Sequence, residues 1–338
     1  MKILVVGAFK YHMYQEALCY GLEQNGAEVI RHKVIDVRPY GVIQTLLNGK
    51  SVWEEVCKQK PDMLFLYRVE NIFPYIIKKV KSAFPQIVIA QYHNDDPFRK
   101  GFKRYIKSFH FLHYIKYSDL TYVYRSVNIE EAKTWGASYP RLFMSHFDSQ
   151  IDMRELSCDD FKNKDGRVVF LGHWEDDDRK EYINACYENN IDLHVYGPQM
   201  WKNIFVKNGW PIEKLHSVVR GDEYRKTIQR SSIALAFFSK ANRDEYTRRC
   251  FEIPISGTAI LQPRTSMTSA IFKDGEDAIL YSNQKEFVGK LMHYLSHEKE
   301  LEEIAYNGYQ LMRGGDFSEI SRAKMVIQDY IKIKNEQS

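Results

Sequence analysis

Ile3-Leu4-Val5-Val6-Gly7 is an unbroken apolar run of strand length that closes on a glycine near the start of the chain. A short, β-branched run of this kind reads as a strand buried on both faces, the pattern of a parallel sheet. A loop and a helical pattern over 13–24 follow, stopped by Asn25-Gly26, and 27–32 returns to extended structure. Apolar strand runs at 62–67, 86–91 and 120–124 come next, with helical patterns over 73–82 and 127–135 between or after them. Parallel neighbours need long crossover connections, and this alternation supplies them. The first half therefore reads as a doubly wound sheet.

Near 147–166 the pattern lapses into a polar stretch that reads as a linker, and alternation restarts at 168–171, 193–196, 232–237, 259–261 and 278–280. Helical patterns over 284–296, 299–312 and 318–333 close the chain. The expected fold class is α/β, with two Rossmann-like doubly wound domains facing across a cleft lined by strand C-terminal edges. The expected boundaries are 1–147, a linker at 148–166, a second domain at 167–316 and a C-terminal helix at 317–338.

A length of 338 residues with 44% hydrophobic and 27% charged residues suits two globular cores. The formal net charge of +4 is too small for wholesale nucleic-acid binding, so basic function must be local. Five widely spaced cysteines without a Cys-x-x-Cys pair indicate neither a disulfide framework nor a structural zinc site. No apolar run approaches the roughly 18 residues of a membrane span, and the first residues lead into a strand rather than a signal h-region. A cytoplasmic location is the expectation.

The densest chemistry lies in Thr247-Arg248-Arg249-Cys250-Phe251-Glu252 and continues to Gly257-Thr258. Two arginines, a hydroxyl and a carboxylate at the start of a helix suit a phosphate, which helix N–H groups and guanidinium forks both bind. Glu252 is placed to accept from a ribose diol. The competing reading pairs both arginines with Asp244 and Glu245. A second phosphate-facing candidate is Gly172, in the turn Gly172-His173-Trp174, with Arg179 opening the next helix. Asp176-Asp177-Asp178 read as first-turn helix acids ahead of a metal-binding run.

In the first half, Asp95 follows a strand on the edge where ligands collect and is the candidate general base, while Asp96 reads as a cap. His293 and His297 read as surface residues, and His110 and His113 as structural ones. The run 98–117 holds six basic residues, seven aromatics and no acid, the composition of a membrane-facing or acceptor-binding helix.

Arg249-Cys250-Phe251-Glu252, followed by Gly257-Thr258-Ala259-Ile260-Leu261, resembles the Arg-x-Phe-Glu and glycine-strand signature of CgeB-like glycosyltransferases, within the wider group 1 family of GT-B architecture. Asp95-Asp96-Pro97 matches that family's Asp-Asp-Pro segment. A looser likeness joins Thr247, Arg249 and Glu252 to the donor segment of the phage DNA β-glucosyltransferase. The resemblance implies a metal-independent hexosyltransferase with a nucleotide-diphosphate sugar as co-substrate and no further cofactor. It implies donor contacts from Gly172, Arg179, Thr247, Arg249 and Glu252, with Asp95 at the acceptor. The acceptor would be a glycan, lipid-linked or other hydroxyl in cell-surface polysaccharide or glycoconjugate synthesis, with nucleic acid behind these. Peripheral contact with the inner membrane face would run through 98–117. Glu245 and Glu252 stand seven apart where many retaining members carry two glutamates eight apart. A sugar-nucleotide epimerase and a non-catalytic nucleotide-sugar-binding or surface-assembly protein are the alternatives.

Overall fold

The computed structural model describes residues 1–36, 41–162 and 164–337, with the Lys103, Arg104 and Gln337 side chains left out. The chain divides into two units, residues 1–145 with 318–338, and residues 146–317.

Unit 1 is built on six parallel strands: β1 Lys2–Gly7, β2 Glu28–Lys33, β3 Met63–Tyr67, β4 Val88–His93, β5 Leu120–Val123 and β6 Pro140–Leu142. Their order across the sheet is β2-β1-β3-β4-β5-β6. Five helices connect them: α1 Ala17–Gln24, α2 Val42–Gln59, α3 Pro74–Ala83, α4 Phe102–Tyr114 and α5 Val127–Thr134. Every residue of β3 and β4 is buried, as the continuous apolar runs require when helices cover both faces. Leu4, Val6, Leu64, Leu66 and Ile89 form one core with Val52 and Val56 of α2 and Ile76, Ile77 and Val80 of α3. β4 runs two residues later than the 86–91 pattern indicates, because pairing with β3 and β5 carries it to His93.

Unit 2 repeats the plan with β7 Val168–Leu171, β8 Leu193–Tyr196, β9 Leu215–His216, β10 Ile233–Leu235, β11 Ala259–Pro263 and β12 Ile279–Tyr281. The order is β12-β11-β10-β7-β8-β9, all parallel. Its helices are α6 Arg179–Glu188, α7 Met200–Asn208, α8 Gly221–Arg230, α9 Arg249–Ile255, α10 Ser266–Ile271, α11 Gln284–Ser296 and α12 Glu298–Gly314. The chain steps outward from β7 to β9, then returns to the other side of β7 with β10. That reversal creates a crevice at the carboxyl ends of β7 and β10, where doubly wound sheets bind ligands.

The stretch 148–166, which reads as a linker, is folded into unit 2, with Asn163 outside the described residues. Asp148, Asp152 and Phe161 are buried, and the Lys164 ammonium donates to the carbonyls of Gln229 at 2.6 Å and Gly257 at 2.9 Å. Helix α13, Glu319–Gln337, then returns to unit 1 and packs on α1. Gly21 makes this possible, since a Cβ there would lie 2.5 Å from the Glu319 carbonyl oxygen.

Candidate functional site

The crevice of unit 2 is walled by two glycines. Gly172, directly after β7, donates its N–H to the Tyr196 carbonyl at 3.0 Å and accepts from the Trp201 indole N–H at 2.8 Å. A Cβ on Gly172 would lie 2.7 Å from the Phe170 ring, closer than real Cβ contacts run, and 3.2 Å from an Arg249 nitrogen, tighter than most. A Cβ on Gly197, after β8, would lie 2.3 Å from the Trp201 ring. The glycines thus bound an open cavity of about 120 Å³, closed on its other sides by Tyr196, Val218, Val219, Tyr224 and Arg249.

Arg248 and Arg249 are adjacent in sequence but point into different surroundings. Arg248 forms ion pairs with Asp152 and with Glu252, the latter at 3.0 Å. Arg249 makes no ion pair or hydrogen bond among the described residues, and its Nε is buried without a partner. Its guanidinium lies 5.9 Å from the Phe170 ring centroid, on the cavity wall. The competing sequence reading gives Arg249 an acid from Asp244 and Glu245, and among the described residues it meets neither. A half-buried guanidinium that faces open space leaves its charge uncompensated, and burying charge without a partner is costly.

Glu252 stands behind this arginine. The Tyr224 hydroxyl donates to one of its oxygens and Arg248 to the other, while its backbone carbonyl accepts from Ser256 Oγ at 2.7 Å. Each carboxylate oxygen accepts two bonds, so each keeps a site for a ligand hydroxyl. Burial, followed by the Glu252 charge, raises the Tyr224 phenol well above its ordinary pKa and keeps it a donor. Burial also raises Asp152, to about 6, despite the Arg248 charge beside it. Thr247 lies at the head of α9 with its hydroxyl oxygen buried and without a hydrogen-bond partner among the described residues.

Arg179, expected at the phosphate, faces its own loop in the fold. Its side chain is buried and its donors are spent on its own loop. Nε and Nη2 form a bidentate pair with Asp177 at 2.7 and 2.8 Å, and Nη1 donates to the His173 carbonyl at 2.6 Å. The loop after Gly172 is thereby tied to the first turn of α6. Asp178 pairs with Lys240 at 2.8 Å, so the aspartate run serves the helix start. Among the described residues no cluster of three or more His, Cys, Asp or Glu is arranged to hold a metal ion.

In unit 1, Asp95 lies two residues beyond β4. Its carboxylate pairs with Arg68 at 2.7 Å and Lys107 at 3.3 Å. Burial acts to raise its pKa, but Arg68, then His93 and Lys107, outweigh burial and hold it well below the carboxylate range. The Asp95 N–H donates to His93 Nδ1 at 3.1 Å, and His93 Nε2 meets Glu70 at 2.9 Å, with both of those side chains buried. His93, Glu70 and Arg68 form the seat of Asp95. Arg68 itself adopts a left-handed φ of 51°, a strained conformation at the sheet edge. Asp96 accepts from the Phe98 N–H at 3.2 Å and Asn128 at 3.1 Å, holding the turn ahead of α4 rather than capping the helix. His110 accordingly bonds the Glu70 carbonyl, and His293 meets Glu300 on the surface.

Residues 179–328, under half of the chain, match the family model described as glycosyl transferase-like. No curated protein sequence matches the chain. Among solved structures, sucrose-phosphate synthase from Thermosynechococcus elongatus superposes with a TM-score of 0.73 at 8% identity, over 99% of this chain and 100% of that one. Anabaena HepE in complex with UDP-glucose gives 0.70 at 10% identity, over 98% and 100%. A Listeria monocytogenes protein named for UDP-N-acetylglucosamine 2-epimerase gives 0.61 at 10%, over 100% and 97%. The chain has the two-domain α/β architecture of these proteins, the GT-B fold.

Proposed function

We propose that the chain is a glycosyltransferase that moves a sugar from a nucleoside-diphosphate sugar, most directly a UDP-sugar, to an acceptor hydroxyl. The observation that carries this reading is Arg249, a guanidinium with no acidic partner among the described residues, on a glycine-walled cavity at the carboxyl ends of β7 and β8. The chemical difficulty of the reaction is negative charge growing on the departing diphosphate. A preorganised guanidinium supplies compensating charge in a site of low dielectric, without a metal ion. The match of 179–328 to a glycosyl transferase-like model and the UDP-glucose held by HepE agree with this assignment. The Arg249-Cys250-Phe251-Glu252 segment is the donor signature in its CgeB-like form.

The roles follow from the partners. Arg249 meets the diphosphate, Thr247 offers its hydroxyl beside it, and Glu252 accepts from the ribose diol while Tyr224 and Arg248 orient it. Gly172 keeps the wall bare, and Arg179 serves the donor through the loop that it ties down. Asp95 accepts a hydrogen bond from the acceptor hydroxyl and fixes its direction. Held as a strong anion by Arg68 and Lys107, it has little proton affinity until those pairs loosen.

The test is thermal unfolding with UDP, GDP, dTDP, CDP and ADP, with and without Mg²⁺, on wild type and Arg249→Ala. A ligand at about 100 times its Kd adds roughly 2.7 kcal/mol, a rise of several degrees. UDP is expected to stabilise the wild type without Mg²⁺ and to leave the variant unmoved. Silence from all five nucleotides overturns the donor site. Isomerised UDP-sugar with no transfer product would move the assignment to an epimerase.

A further inference from the structure

The strand order of unit 1 puts α2, α3 and α4 on one face of the sheet, because the crossovers β2 to β3, β3 to β4 and β4 to β5 all advance in one direction and share one hand. The three helices pack side by side in that order. Their sequences share an unusual property. Residues 41–53, 71–94 and 97–118 carry ten Lys and Arg and not one Asp or Glu. The first glutamates of α2, Glu54 and Glu55, come only in its later half.

The same face is apolar where a soluble helix is normally polar. Ile43 is 75% exposed and Phe102 79% exposed, with Leu46, Leu47, Tyr75 and Ile106 also exposed. On α2, Ile43, Leu46, Leu47 and Lys50 follow the i, i+3, i+4, i+7 spacing of a single stripe, but this stripe points outward. Between α2 and α3 it borders a groove of about 470 Å³ lined by Trp53, Ile76, Lys50 and Lys79, with the Lys79 ammonium 3.7 Å over the Trp53 ring and the exposed Lys50 3.8 Å from Glu54. The groove joins the outer face of α4 through stacked rings. Tyr75 stacks on Phe73 at 6.1 Å, and Phe73 meets His110 edge-on at 5.7 Å. The surface is thus continuous across three helices, apolar at its centre and basic at its edge.

We infer that this three-helix face docks on an anionic bilayer surface, with Ile43, Leu46 and Leu47 of α2 entering the headgroup–acyl boundary and Lys50 and Lys79 meeting lipid phosphates. An acidic protein groove would satisfy the lysines but not a patch that spreads over three helices. A planar array of anionic headgroups above an acyl layer matches both parts at once. No helix among the described residues is long and apolar enough to cross a membrane, so the contact is interfacial. The argument extends the membrane contact expected of 98–117 to α2 and α3, and it stands without the side chains of Lys103 and Arg104. It is independent of the reading of the unit 2 cavity.

The test is co-sedimentation of the full chain with vesicles of phosphatidylcholine alone and of phosphatidylcholine with about one-third phosphatidylglycerol, at low salt and at about 0.5 M salt. Wild type is expected to sediment with the anionic vesicles only and to be released by salt. Ile43→Ser with Leu47→Ser, and separately Lys50→Glu with Lys79→Glu, are each expected to lower the partition coefficient by about tenfold or more. Unchanged melting temperatures would show that both variants fold. Equal binding to both vesicle types, no binding to either, or variants that bind as wild type would overturn the proposal. A concentration-dependent dimer that the Ile43/Leu47 variant abolishes, without vesicle binding, would assign the face to a second copy and overturn it as well.

Discussion

Arg248 and Arg249 divide one positive doublet between two tasks: the first neutralises the buried carboxylates Asp152 and Glu252, and the second meets no carboxylate among the described residues. Successive residues at a helix start point about 100° apart, so one guanidinium turns inward and the other toward the Gly172 wall. The two alanine variants should therefore separate cleanly. Arg248→Ala strands two buried acids and is expected to lose roughly 3–5 kcal/mol in urea unfolding. Arg249→Ala removes no native ion pair and should melt close to wild type while losing its response to nucleotide.

The glycine wall makes its own prediction. Gly172→Ala places a methyl 2.7 Å from Phe170 and 3.2 Å from Arg249, so the chain must shift or the guanidinium must turn away. We expect a loss of about 1–3 kcal/mol, as for overpacked sites, together with weakened nucleotide binding by titration calorimetry. Unaltered binding in the variant would detach Gly172 from the donor site.

Asp95 should be ionised throughout the working pH range, since its folded pKa lies well below the ordinary value. Stability from its ion pairs is present above about pH 4, the unfolded pKa, and is lost only as pH falls through the lower folded value. Transfer rate should accordingly show no acidic limb from this carboxyl above about pH 5. Arg68→Ala removes the nearest cation and leaves burial, which raises the pKa, so an acidic limb should move up into the measurable range. Asp95→Asn should spare nucleotide binding and reduce transfer. An Arg68→Ala pH profile identical to wild type would remove Arg68 from this role.

Asp152 titrates in the opposite sense. Its carboxyl is raised from 3.8 to about 6 by burial first. Between about pH 4 and 6 the folded chain keeps a proton that the unfolded chain has released, so this group favours folding less as pH rises through that window. At 1.36 kcal/mol per pH unit the change amounts to about 3 kcal/mol. Asp152→Asn should abolish that slope, so its stability relative to wild type should improve from pH 4 to pH 7 by up to about this amount in urea melts. Parallel pH profiles would show that the Asp152 carboxyl is not raised in the folded chain.

Local periodicity determined the architecture. The 3–7 run, the 168–171 run and the pattern over 284–296 all became elements at or within a residue of those positions, because burial on both faces of a parallel strand leaves a continuous apolar run. Helix α2 was not legible, since Asn48-Gly49 interrupts its pattern. Gly49 is there because Ile76 of α3 lies 2.9 Å from where its Cβ would be.

The residue types of the candidate site were also visible in sequence: an arginine doublet, a glutamate one turn on, a glycine turn and an aspartate after a strand. Their assignments were not. Which arginine is left without a carboxylate depends on Asp152, 96 positions away, and the seat of Glu252 depends on Tyr224, 28 positions away. Arg179 looked like a free cation until the loop folded Asp177 and the His173 carbonyl onto it. Composition and period are properties of a segment and survive in the linear chain. The charge state and reach of a side chain depend on the partners that folding brings to it, and only the tertiary structure names them.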